Sequence, residues 1–120
     1  MPTKIIDQQV PKTDLTHLES VRPSWAKFSL VEQMANIGSE VHRTLLAKNN
    51  PTRYWGAVTR ALDLFWLTIE DPRWKGRRRE ILRARELFST AVLGSDEFKT
   101  SLEDLDRYFD CFVWLARKDR

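Results

Sequence analysis

Residues 29–72, SLVEQMANIGSEVHRTLLAKNNPTRYWGAVTRALDLFWLTIEDP, spell out two helices and the turn between them. Ser29-Leu-Val-Glu32 is a capping box: the serine hydroxyl accepts from a free backbone amide, and the glutamate reaches back to the serine amide. Leu30, Met34, Ile37, Val41 and Leu45 follow at spacings of three and four, which places them on one helical stripe. Asn49-Asn50-Pro51 ends that helix near Lys48 and starts the next, because asparagine caps a helix and proline fits its first turn. The second helix, 51–70, buries Tyr54, Val58, Ala61, Leu62, Phe65 and Ile69, and Asp71-Pro72 stops it.

Two further helices are expected downstream. One starts near Trp74 or Lys75, carries Ile81, Ala84, Leu87, Phe88, Ala91 and Val92 on its inner face, and ends at Gly94, a left-handed cap. After a turn through Gly94-Ser95-Asp96 and a short turn at Phe98, Ser101-Leu-Glu-Asp104 forms a second capping box. The last helix then buries Leu102, Leu105, Phe109, Phe112, Val113 and Ala116. Upstream, prolines at 2, 11 and 23 and the lack of sustained periodicity give residues 1–24 as an irregular, extended arm, with one or two helical turns between Asp14 and Ser20. The expected fold is all-α: an antiparallel up-down-up-down four-helix bundle over 25–120, behind the arm 1–24.

At 120 residues the chain is one domain, long enough to bury a core without staples. The only cysteine is Cys111, so no disulfide forms within the chain and a reducing compartment is the natural setting. The opening residues lack the apolar run of a signal peptide, and no stretch approaches a membrane span. A cytoplasmic protein with no membrane contact is expected.

Charge is unevenly placed. Between Arg73 and Gly94 stand seven Lys and Arg and two acids, a local net of +5, against +3 for the whole chain. Projected at 100° per residue, Lys75, Arg78, Arg79, Arg83 and Arg85 occupy one half of this helix, opposite its apolar stripe. Arginine suits bidentate contact with phosphate or carboxylate. These five residues are the candidate nucleic-acid contacts, for RNA or DNA. The competing readings are a solvated face, and an adaptor whose basic helix docks an acidic partner or its own last helix, with Glu103, Asp104, Asp106 and Asp110. Glu32, Asn36, Glu40 and Arg43 form a polar stripe on the first helix, read as a surface ladder, with a specificity patch for a partner as the alternative.

Trp55, Trp66, Leu67, Leu82 and Trp114 project outside the core stripe. Large apolar residues and tryptophans on an outer surface are the usual anchors of an interface, so a homo-oligomer is expected there. Catalytic chemistry is not visible. His17 and His42 share no metal-ligand spacing with each other or with Cys111. Cys111 lies on the outer part of the last helix among acids, a setting that does not favour a nucleophilic thiolate. No glycine-rich phosphate loop exists, and the acids of the last helix read as a solvated face rather than a magnesium site. The reading is a non-enzymatic protein with no cofactor and no metal.

Asn36-Ile37, Glu40 and Arg43, followed by the aromatic run from Tyr54 to Leu64, resemble a four-helix-bundle family. That family comprises proteins encoded in intervening sequences of ribosomal RNA genes and accessory variability determinant proteins of diversity-generating retroelements. Its members carry Asn-Ile-x-Glu-x-x-x-Arg; here the glutamate is one residue late, the arginine keeps its place, and Val41 stands where a glycine is expected. The resemblance implies a homo-oligomer, a pentamer by the family's pattern, that binds nucleic acid and a reverse transcriptase, with Arg43 structural or interfacial.

Overall fold

The computed structural model describes residues 15–94 and 100–118, with the side chains of 15–17 left aside. Within them lie five α-helices and no strand: α1 Leu15–Trp25, α2 Leu30–Leu46, α3 Pro51–Glu70, α4 Arg78–Val92 and α5 Leu102–Lys118. A 3-10 segment, Pro72–Arg77, joins α3 to α4.

The helix ends have local causes. At α2, the Glu32 amide donates to Ser29 Oγ at 3.2 Å and the Ser29 amide donates to Glu32 Oε1 at 2.9 Å, closing the capping box. At α3, Asn50 Oδ1 accepts from the Arg53 amide at 3.2 Å and Pro51 takes the first turn. At α5, Ser101 and Asp104 cap each other at 3.1 and 3.2 Å. A cap of this kind is worth about 1 kcal/mol. Helix α4 stops at Gly94, whose φ of +74° lies in the left-handed region that only glycine enters freely.

The larger of two core clusters is contributed by α2 to α5 and centred on Phe65, Phe88 and Phe109, all fully buried. Phe65 lies 5.9 Å from Phe88 and 6.1 Å from Phe109 between ring centroids. Helix α2 packs most closely on α5 and α3, while α4 packs on α3 and α5. The tightest approach is at Gly38: a methyl group there would stand 2.7 Å from Cβ of Phe109.

Helix α1 differs from the expected arm. Within the described residues the segment is helical from Leu15 and runs past the expected boundary at 24 to Trp25, with Pro23 in its last turn. Leu18, Val21 and Trp25, at spacings of three and four, form an apolar stripe that the prolines had masked. That stripe packs with Phe28 over Leu64 and Leu67 of α3. Trp25 Nε1 donates to Thr68 Oγ1 at 3.1 Å, and Arg22 pairs with Glu70 at 2.6 Å. Residues 1–14 of the expected arm 1–24, the Ser95-Asp96 turn and the turn at Phe98 lie outside the described residues.

The start of the basic helix also differs. The expected onset at Trp74 or Lys75 falls in the 3-10 segment, where Trp74 has non-helical φ and ψ (−105°, 22°), and α-geometry begins at Arg78.

Candidate nucleic-acid interface

The corner ahead of the basic helix is held by a buried polar joint. Gln33 of α2 is fully buried. Its amide nitrogen donates to the Trp25 carbonyl at 3.0 Å and to Asp71 at 3.3 Å, and its amide oxygen accepts from Trp74 Nε1 at 2.9 Å. Asp71 accepts from the Arg73 amide at 3.0 Å and from its guanidinium at 2.7–3.2 Å. Arg73 also donates to the Phe28 carbonyl at 2.9 Å and lies 4.4 Å from the centroid of the Trp74 ring. The Arg73 hydrogen bonds, reinforced by that of Gln33, outweigh burial and hold the Asp71 carboxyl below its ordinary range. One network thus ties α1, α2 and α3 together and aims the chain into α4.

The seven cations that follow divide three ways. Arg73 and Arg78 are bonded to the fold: Arg73 as above, and Arg78 Nε donates at 2.9 Å to the Ile69 carbonyl, one of the free C-terminal acceptors of α3. Arg77 pairs with Glu80 at 3.2 Å and Arg83 with Glu86 at 3.9 Å, both one turn apart on the surface. Exposed pairs of this kind contribute little and exchange readily. The side chains of Lys75, Arg79 and Arg85 are exposed and make no hydrogen bond or ion pair among the described residues. Of the five expected contacts, four therefore reach solvent on one stretch, and Arg78 is half-buried and committed to the fold.

Three of the four acids expected to dock this helix are held elsewhere, and Asp110 is exposed. Glu103 of α5 accepts from Lys48 at 2.5 Å, Asp106 lies 3.1 Å from His42, and Asp104 pairs with Arg107. No group of three or more His, Cys, Asp or Glu among the described residues stands together as metal ligands. No described helix is long and apolar enough to cross a membrane.

The expected interface residues also separate. Trp66, Leu82 and Trp114 are 45%, 48% and 60% exposed. Trp55 is half-buried, edge-on to Tyr54 at 5.0 Å and packed on the core. Leu67 is a correction: α1 covers it, leaving it 2% exposed, so it is an internal contact and not an interface residue.

A second basic surface was missed in the sequence. Glu40, read as part of a surface ladder, is 4% exposed. It accepts from Arg43 at 2.7 Å and from Arg60 of α3 at 2.9 Å. Beside this trio opens a groove of about 660 Å³ lined by Arg43, Leu46, Asn50, Arg53, Ala57 and Arg60. One carboxylate against three guanidiniums leaves the groove positive. The spacing of seven between Arg53 and Arg60, two turns of one helix, was the available signal; Arg43 joins them only through the α2–α3 turn.

Compared with known proteins, the chain matches no family model, no curated protein and no solved structure.

Proposed function

We propose that the chain is a non-enzymatic, homo-oligomeric accessory protein that binds RNA or DNA through the outer face of the 3-10 segment and α4. In this reading α2 to α5 form an antiparallel up-down-up-down four-helix bundle, and α1 braces its α3 side. Lys75, Arg79, Arg83 and Arg85 meet phosphates. The observation that carries the reading is the solvent-facing, unpartnered state of the Lys75, Arg79 and Arg85 side chains among the described residues, beside an exposed Arg83. Guanidiniums already engaged by carboxylates release no counterions from a nucleic acid; these are available to do so. The contact is to backbone rather than to base edges, so it favours no particular sequence.

The test is fluorescence anisotropy with labelled RNA and DNA over a salt series. With about four phosphates neutralised, affinity falls about a hundredfold between about 50 and 200 mM salt. An affinity that is flat over that range rules the phosphate contact out.

A further inference from the structure

Helix α5 carries large apolar side chains on two faces. The inner one, with Leu102, Leu105 and Phe109, is buried in the core. The outer one carries Tyr108, Cys111, Trp114 and Leu115, all exposed. At 100° per residue, Asp104, Arg107, Cys111, Trp114 and Lys118 share one stripe at alternating spacings of three and four, with Tyr108 and Leu115 along its edge. This spacing puts the side chains on one face, where charged ends flank an apolar middle that a second helix lying lengthwise can meet.

The charge on α5 says which helix fits. Its first turn is acidic, with Glu103 and Asp104, and its last turn is basic, with Arg117 and Lys118. A helix polarised in this way complements a copy of itself only when the copy runs the other way. Cys111 lies midway between Asp104 and Lys118. Rotating a second copy by half a turn about Cys111 sets Asp104 opposite Lys118, Tyr108 opposite Trp114, Arg107 opposite Leu115, and Cys111 opposite its own copy. A two-fold contact of this kind makes every pair off the axis twice. A parallel copy would instead put acid on acid and base on base.

We infer that the outer stripe of α5 is the contact for a second copy of this chain, antiparallel, with the two-fold axis at Cys111. The inference rests on the homo-oligomer reading above and adds the surface and its symmetry. Within one subunit the same groups make interim contacts: Lys118 Nζ lies 5.1 Å from the centroid of the Trp114 ring, and Arg107 pairs with Asp104. Both are exposed arrangements that a facing helix replaces. The pairing of one helix with its copy buries a small area, so the dimer is reversible.

Mild oxidation of the purified chain with copper phenanthroline tests the axis. We expect rapid, near-complete conversion to a thiol-reversible dimer through Cys111. In a Cys111→Ser background, Leu46→Cys, at a position 72% exposed on α2, should crosslink slowly. Light scattering should show at least a tenfold weaker dimer for Lys118→Glu and recovery when Asp104→Lys is added. Circular dichroism checks that helicity survives the loss of the Asp104 cap. An oligomer whose Cys111 crosslinks no faster than the Leu46→Cys control overturns this surface and leaves the homo-oligomer reading standing. A monomer at the highest attainable concentration overturns both.

Discussion

Arg73 and Arg79 belong to the same basic run, yet they lead opposite lives. Arg73 is locked to Asp71 and the Phe28 carbonyl at the corner between α3 and the 3-10 segment. Arg79, two residues into α4, faces water with no partner among the described residues. The difference lies in what surrounds each residue, because the side chains are chemically identical. A cation beside a chain reversal finds free carbonyls and a buried carboxylate, whereas a cation on the outer side of a regular helix finds only neighbours one turn away. Of the local charge of +5, the part already bonded to the fold is not available to a ligand, so the run's functional charge is smaller than its formal charge.

Breaking the inner half should cost the most. Asp71→Ala removes the acceptor of the Arg73 guanidinium, the N-terminal cap of the 3-10 segment and one bond to Gln33. Arg73 is 40% exposed, so solvent screens the pair. The expected loss is about 3 kcal/mol, seen as a thermal midpoint lower by about 10 °C. Nucleic-acid affinity measured well below the midpoint should barely change.

The outer half should behave in reverse. Arg79→Glu with Arg83→Glu should lower nucleic-acid affinity at least tenfold and move unfolding free energy by less than about 0.5 kcal/mol. Unchanged anisotropy with the double variant would remove this face from the binding surface.

Arg78 sharpens the comparison, since it stands between the two classes. Arg78→Ala removes the bond to the Ile69 carbonyl, so a stability loss of about 1 kcal/mol is expected in urea titrations. Its effect on the salt slope should be smaller than that of Arg79→Ala. A slope loss equal to that of Arg79→Ala would show that Arg78 leaves its carbonyl when the ligand binds.

Acid supplies the smallest effect. The Asp71 carboxyl is held below its ordinary value in the folded chain, so it stabilises the fold above the unfolded carboxyl pKa. That contribution is lost as pH falls through the lower folded value. Urea unfolding of the parent chain and of Asp71→Asn should therefore differ at pH 7 and converge only below about pH 4. A difference that does not vary between these limits would mean that the carboxylate charge does nothing at the corner.

Helix ends and the inner stripes of α2 to α5 were readable from the sequence because their causes are local: a serine three residues before a carboxylate, an Asn-Pro junction, a glycine at a positive φ. Longer-range matters were not. Leu67 sits on the polar side of α3 by periodicity, and only the docking of α1 makes that side internal. Pro23 disguised α1, although Leu18, Val21 and Trp25 carried its stripe in plain sight. Glu40 read as surface because a helical projection places a side chain on a face but does not say that Arg60, twenty residues later, closes over it. The 3-10 onset before Arg78 depends on Gln33 reaching Trp74 from another helix, which no window on the basic run contains.

Gly38 has a mechanical consequence. With no methyl group between them, α2 and Phe109 meet at backbone distance, and the aromatic ring fills the notch like a key in a shaft. Rolling α5 about its own axis would drive that ring into the neighbouring rod. Whatever α5 presents on its far side is therefore presented at one fixed azimuth, and a mating helix meets it without first arresting a rotation.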